Sequence, residues 1–204
     1  MVLETLREVL DSDYRGPRAV FTQVDVLKAI VAVGTAGSIG RGKLGTSTGL
    51  GQGEVRTLIK RLRDSGLITI ESNGCSLSAR GRREYERIAS LLPWSSRVEA
   101  SRLNIGSVCW AVVVAGSAGK VRFGLEQRDA AIRAGAEGAF TAVFRGGRFL
   151  VPGEGTDCEG EGPSEPWTNI RKARIQETDV VIVTGSQNAS VSENGALAAF
   201  LTLM

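Results

Sequence analysis

The stretch from Leu44 to Ala79, LGTSTGLGQGEVRTLIKRLRDSGLITIESNGCSLSA, decides the fold of the first half of the chain. Its centre predicts an amphipathic helix, because apolar residues recur there at three- and four-residue intervals. These residues are Val55, Leu58, Ile59 and Leu62. Gly66 follows the helix and suits the left-handed conformation that commonly ends one. The outward side of the helix is left with basic and polar residues.

A β-hairpin is predicted directly after this helix. The runs Leu67–Glu71 and Cys75–Ser78 are joined by Ser72-Asn73-Gly74. Asn-Gly between two β-prone runs favours a tight hairpin turn, because both residues tolerate a positive φ.

Four further helices are predicted around this core motif. Thr22 to Val33 predicts a helix with Thr22 as its cap, and Ser38 to Gly49 predicts a weak, glycine-rich helix with Ser38 as its cap. Residues 79–92 predict another helix with many arginines. An amphipathic helix at residues 2–10 precedes them. We expect its apolar side to contact the other domain or a second subunit, and the alternative is that it covers the core of its own domain.

Residues 21–92 resemble winged helix-turn-helix transcription regulators, and the string VRTLIKRLRDSGLITIESNG at residues 55–74 carries the resemblance. It implies that double-stranded DNA is the partner, with the helix in a major groove and the hairpin beside it. The residues expected at base edges are Gln52, Arg56, Thr57 and Lys60. Those expected near phosphates or the minor groove are Lys43, Ser47, Thr48, Arg61, Arg63 and Asn73.

Charge is distributed unevenly along the 204 residues. Residues 18–92 hold twelve Lys and Arg against six Asp and Glu, whereas residues 101–204 hold ten against eleven. Positive charge therefore concentrates on the part that resembles a DNA-binding domain.

The residue types exclude several kinds of chemistry. The chain has no histidine, so a Ser-His-Asp triad and a histidine zinc site are excluded. The cysteines, Cys75, Cys109 and Cys158, form no CxxC pair and suggest free thiols in a reducing cytoplasm. We expect no metal, no cofactor, no catalytic residue, no membrane segment and a cytoplasmic location.

The second half predicts alternating strands and helices, after a break at Pro93-Trp94. The predicted strands are Gly106–Gly116, Ala139–Phe144, Arg148–Val151 and Val180–Thr184, and the predicted helices are Leu125–Gly135 and a last one beginning at Ser190 or Ser192. Within the first of these helices, the residues expected to be buried are Leu125, Ala130, Ala131 and Ile132. The glycine-rich Ala115 to Lys120 is not a phosphate loop, because Val114 and Val121 stand where a Walker motif needs Gly and Ser or Thr.

Two polar groups in this half suggest a site for a small anionic effector. Arg128 and Asp129 lie early in a predicted helix, and a polar turn follows the last apolar strand. The ligand-binding residues predicted from both groups are Arg128, Asp129, Thr184, Ser186, Gln187 and Asn188. Structural ion pairs and capping of the last helix explain the same residues equally well.

The predicted fold is α/β, α+β overall, with a winged helix followed by a small α/β sandwich. The predicted divisions are residues 1–17, 18–92, a linker at 93–103, and 104–204. With GLEQRDAAIRAGAEG at residues 124–138, this arrangement is similar to largely uncharacterised archaeal regulators. The resemblance implies a homodimeric DNA-binding regulator and not an enzyme. A protein-protein adaptor and a metabolic enzyme with an appended winged helix are the alternatives.

Overall fold

The computed structural model describes residues 2–11, 20–72, 74–160 and 165–204. The chain divides into two compact units, Met1–Ala89 and Ser90–Met204. Each unit combines helices with an antiparallel sheet. The fold is therefore α+β, as the sequence predicted at this coarse level.

The N-terminal unit contains five helices and three short strands within the described residues. They are α1 Val2–Asp11, α2 Gln23–Ala36, β1 Ser38–Ile39, α3 Arg41–Thr48, α4 Gln52–Asp64, β2 Ile68–Glu71, β3 Gly74–Leu77 and α5 Ala79–Leu91. The strands form an antiparallel sheet in the order β1-β3-β2. Its core includes the fully buried side chains Leu6, Leu27, Ile30, Leu44, Leu58, Leu62 and Ile88.

The predicted hairpin, the cap of α2 and the left-handed glycine after α4 are confirmed, whereas Gly74, predicted in the turn, begins β3. Ile70 pairs with Cys75 and Glu71 with Gly74 across the hairpin. The Thr22 hydroxyl accepts a hydrogen bond from the Asp25 amide at 3.4 Å, and the Asp25 carboxylate accepts one from the Thr22 amide at 2.7 Å, which caps α2 at its start. Gly66 has φ +68° after α4, the left-handed conformation that a Cβ would strain.

Two predictions about this unit are wrong. Ser38 does not cap α3; it begins β1, which pairs with β3, and the backbone of Gly40 precedes the first turn of α3. Helix α1 also does not direct its apolar side away from its own unit. Its buried residues Val2, Leu6 and Val9 belong to a helix that contacts α2 and α4, so α1 completes the local core.

The C-terminal unit is built on a five-stranded antiparallel sheet in the order β4-β5-β8-β6-β7. Its elements are β4 Trp94–Val98, β5 Val108–Val114, α6 Leu125–Arg133, β6 Gly138–Arg145, β7 Arg148–Leu150, α7 Trp167–Arg171, β8 Val180–Ser186 and α8 Ala189–Leu201. Every residue of the central strand β8 is buried. Helices α6 and α8 pack against one face of the sheet. The other face packs against a cluster that includes Phe149, Trp167 and Ile170.

The structure differs from the sequence-based expectation at three places in this unit. The predicted linker at residues 93–103 contains β4, which extends the sheet beside β5. Strands and helices alternate along this part of the chain, but the neighbouring strands of the described sheet pair antiparallel. Leu125 and Ile132, predicted to be buried in α6, are 48% and 47% exposed.

Candidate nucleic-acid interface and candidate ligand site

Helix α4 carries one continuous polar and basic surface. Its residues Gln52, Arg56, Lys60 and Arg63 are all exposed, and together they are called the basic arc. At 3.6 residues per turn, these four positions span about 80° around the helix axis. The opposite side is buried in the core through Val55, Leu58 and Leu62. The predicted outward face is therefore present as a compact surface.

Arg61 is a correction to the predicted interface. It is only 4% exposed, and its guanidinium donates hydrogen bonds to the carbonyl oxygens of Leu10 at 2.5 Å and Val9 at 3.3 Å. It also lies 5.5 Å from the centre of the Phe21 ring. The last four carbonyl groups of a helix lack partners within that helix, and Arg61 satisfies two of them in α1. It binds protein and not phosphate.

Helix α3 contributes two of its three predicted residues to the surface. Lys43 and Ser47 are exposed, and the Ser47 hydroxyl donates to the Lys43 carbonyl at 3.1 Å. Thr48 is a second correction, since it is 3% exposed and its hydroxyl donates to the Leu44 carbonyl at 2.9 Å. A buried hydroxyl with a backbone acceptor serves the helix end and does not face a ligand.

Thr57 and Asn73 are the remaining residues predicted to bind DNA. Thr57 is half-buried beside the basic arc, with its hydroxyl donating to the Gly53 carbonyl at 3.1 Å. Asn73, predicted at the tip of the hairpin, lies outside the described residues.

In the C-terminal unit, Arg128 and Asp129 form an exposed ion pair. The Arg128 Nη2 atom is 3.1 Å from Asp129 Oδ1, and each side chain is 50% exposed. An exposed pair of this kind contributes little to stability. Both side chains stand at the surface of α6, as a ligand contact requires.

Thr184 and Ser186 are corrections to the predicted ligand site. Thr184 is 0% exposed and donates to the Ser192 carbonyl at 2.6 Å, whereas Ser186 is 3% exposed and donates to the Asn188 carbonyl at 2.7 Å. They lie on the central strand, which α8 covers. Asn188 caps α8 by accepting from the Ser190 amide at 2.8 Å. The polar turn thus mainly joins β8 to α8.

Arg128 and Gln187 do come together, at a surface depression of about 720 Å³. Ser107, Glu137 and Asn104 also line it, and sequence reasoning did not find them. Gln187 accepts from the Ser107 hydroxyl at 2.9 Å and donates to Glu137 at 3.2 Å. The pairing of β6 and β5 with β8 brings these distant residues together, and no local motif announces them.

The glycine-rich segment before α6 has a structural role. The Gly116 amide donates to Asp179 at 2.9 Å, and the Lys120 ammonium donates to the Leu203 carbonyl at 2.5 Å. The lysine that would approach a phosphate in a Walker motif is thus bound to the chain itself.

The three cysteines are free thiols in poor surroundings for reaction. Cys75 and Cys109 are buried, and burial raises the pKa of both. Burial, with the neighbouring charges of Asp157 and Glu159, raises the pKa of Cys158 to about 12. Within the described ranges, no group of three or more His, Cys, Asp or Glu is placed to hold a metal ion.

None of the helices in the described part of the chain combines the length and apolar character needed to span a bilayer.

Comparison with known proteins finds a family model that matches just under half of the chain. Residues 105–203 match the family called domain of unknown function, DUF4443. The solved structure of a hypothetical protein from Pyrococcus horikoshii OT3 is similar, with a TM-score of 0.66 at 23% sequence identity. The similarity covers 89% of this chain and 92% of that one, and it shows a shared fold. The search among curated proteins gave no match.

Proposed function

We propose that this chain is a DNA-binding transcription regulator whose N-terminal unit is a winged helix-turn-helix. The observation that carries the proposal is the basic arc, a single exposed face on α4. The order of elements around it supports the same assignment. Helix α3 precedes α4, and the β2-β3 hairpin follows it directly, which matches a recognition helix with a wing.

The chemistry of the arc favours nucleic acid over a protein partner. Arg56, Lys60 and Arg63 supply positive charge for phosphates, and arginine and glutamine side chains form paired hydrogen bonds with guanine and adenine edges. Arg63 also contacts Asp64, but this pair is exposed and weak. Among the described residues, the large apolar side chains that are exposed lie outside α3 and α4. An adaptor surface would favour apolar side chains there.

Residues on α3 complement the arc. Arg41 and Lys43 are exposed in its first turn, where no side chain caps the helix. Cationic side chains at a helix N-terminus suit a phosphate of the DNA backbone. We assign Lys43 and Ser47 to backbone positioning, and Gln52, Arg56 and Lys60 to the base edges.

The C-terminal unit is proposed to dimerise the regulator, to bind an effector, or both. Leu125 and Ile132, seven residues apart on α6, expose apolar surface on one side of that helix, and Phe123 just before it is 62% exposed. Such surface supports self-association. The depression beside Arg128 and Gln187 supports binding of a small anionic molecule. We place the regulator in the cytoplasm of an archaeal cell.

Fluorescence anisotropy with labelled genomic DNA fragments at two salt concentrations tests the proposed function. We expect tight binding at low salt and a steep loss as salt rises, because each phosphate contact contributes about 0.9 to the logarithmic salt slope. Arg56→Ala should weaken binding about tenfold, in line with the loss of one paired contact. Arg63→Ala, which removes a residue expected at the phosphates, should lower the salt slope by about one contact.

Arg7→Ala is the matched control, since Arg7 is exposed on α1 of the same unit and lies outside the arc. It should bind DNA as the parent chain does. Absence of binding at low salt, or equal binding by the parent and both arc variants, contradicts the proposal and favours an adaptor or an enzyme.

A further inference from the structure

A second depression, of about 800 Å³, lies in the C-terminal unit at the edge strand β4. It is separate in composition from the depression at Arg128, although Gly106 and Ser107 border both. Its wall carries two basic and two acidic side chains. These are Arg97, Lys172, Glu99 and Glu165.

The four charges are not neutralised by one another. Within the part of the chain that the structure describes, no salt bridge joins any of the four to another residue. Lys172 donates a hydrogen bond to the Asn169 side chain at 3.0 Å, a neutral partner. Arg97, Glu99 and Lys172 are exposed, so the depression presents charges of both signs to a ligand.

Glu165 supplies the strongest indication. Its Oε2 atom is buried and has no hydrogen-bond partner among the residues that the structure describes. A buried carboxylate oxygen without a donor costs free energy, because it has lost water and gained nothing in return. A ligand with an ammonium group would supply the missing donor, since an ammonium offers several N–H groups.

The rest of the lining defines what else the ligand contains. Arg97 and Lys172 provide cationic donors for a carboxylate. Val98, Ala100 and Cys109 also border the depression, but they are buried in the hydrophobic core, so the exposed part of the lining is mainly polar and charged. We propose that this depression binds a small zwitterion of the α-amino-acid class.

In this assignment, Glu165 accepts from the ammonium group, and Arg97 with Lys172 binds the carboxylate. Glu99 adds a second negative charge near the ammonium. That the amino acid acts as an effector rests on the proposed DNA-binding function, whereas its binding does not. The two proposals can therefore fail separately.

Isothermal titration of the full chain, without DNA, tests the site with three probes of matched side chain. They are L-leucine, N-acetyl-L-leucine, which lacks the ammonium, and L-leucinamide, which lacks the carboxylate. We expect L-leucine to bind at least about tenfold more tightly than either analogue, because each analogue leaves one charged group of the site unsatisfied. Equal binding of N-acetyl-L-leucine would show an anion site and overturn the proposal.

Charge-removing variants locate the binding. Glu165→Gln should weaken L-leucine binding and reduce the difference in affinity between L-leucine and N-acetyl-L-leucine. Arg97→Gln should reduce the difference in affinity between L-leucine and L-leucinamide. Glu154→Gln and Arg102→Gln are the matched controls, because both residues are exposed and lie outside the depression. The proposal is overturned if none of the three probes gives a heat of binding. It is also overturned if the control variants weaken L-leucine binding as much as the site variants do. If a site variant fails to fold by circular dichroism, the comparison of probes on the parent chain decides.

An anisotropy titration gives the independent readout for the proposed function. Loss of DNA binding with retained L-leucine binding would overturn only the regulator. Retained DNA binding without L-leucine binding would overturn only the amino-acid site.

Discussion

The guanidinium of Arg61 donates a hydrogen bond to the carbonyl oxygen of Leu10 at 2.5 Å, and this contact joins α4 to the end of α1. Two arginines on one helix thus have opposite roles. Arg63 is at the surface in the basic arc, whereas Arg61 is beneath α1. Arg61 therefore stabilises the N-terminal unit, whereas Arg63 is one of the residues proposed to bind DNA.

Arg61→Ala is expected to destabilise the N-terminal unit without acting directly on a DNA contact. The loss should be about 2 kcal/mol, because hydrogen bonds from a charged group to two buried carbonyl groups are removed. Arg63→Ala is the control and should change the free energy of unfolding by less than about 0.5 kcal/mol, since the side chain is exposed. Urea unfolding followed by circular dichroism measures both. Equal effects of the two substitutions would contradict the assignment.

The ion pair between Glu8 and Arg80 is expected to make a small, pH-dependent contribution to stability. The hydrogen bond from Arg80 lowers the pKa of Glu8 below its usual 4.5. A carboxyl pKa that folding lowers stabilises the native state above the unfolded pKa, and the contribution disappears as pH falls through the folded pKa.

Glu8→Gln should therefore reduce the free energy of unfolding at neutral pH by less than about 1 kcal/mol, since both side chains are largely exposed. The difference between variant and parent should decline as pH falls from 4.5 and vanish below the lowered pKa. Urea unfolding across this range checks it. A difference that stays constant with pH would show that the charge of Glu8 is not involved.

Substitution by alanine at two glycines of the N-terminal unit should change the free energy of unfolding in opposite directions. A Cβ on Gly81 would lie 2.0 Å from the Leu67 carbonyl oxygen, a backbone atom that cannot move alone. Gly81→Ala should cost about 1 to 3 kcal/mol through overpacking. Gly42 lies in α3, and no atom lies within 4 Å of a Cβ added there. Gly42→Ala should therefore raise the free energy of unfolding by about 0.5 to 1 kcal/mol. Thermal unfolding of both variants tests the sign of each change.

Native cysteines are expected to react slowly with a thiol reagent at neutral pH. Thiolate is the reactive form, and the pKa of Cys158 is raised to about 12, while burial raises the pKa of Cys75 and Cys109. Labelling with an aromatic disulfide reagent should be slow in buffer and rapid for all three thiols in denaturant. Cys158→Ser should remove one labelled site in denaturant and leave the slow native rate unchanged. Rapid labelling of the native parent chain would show that a thiol is accessible and ionised.

The sequence by itself determined the local elements whose causes are local. The apolar interval in α4 fixed its buried side, the β-prone runs on either side of residues 72–74 indicated the hairpin, and Thr22 fixed the start of α2. Each depends on residues a few positions apart, so the chain encodes it directly. The periodicity of α4 also indicates that Arg61 is buried. Nine residues after Gln52, the helix has turned to its opposite, core-facing side, where Arg61 lies.

Only the tertiary structure decided the features that depend on distant contacts. Arg61 is buried because α1 supplies carbonyl acceptors more than fifty residues away. Thr184 is buried because α8 covers the central strand, and Leu125 is exposed because α6 turns that side away from the sheet. The depressions at Arg128 and at Glu165 form where strands and helices from separate parts of the C-terminal unit meet. Spacing along the chain carries no information on such meetings, because they are set by which surfaces pack together.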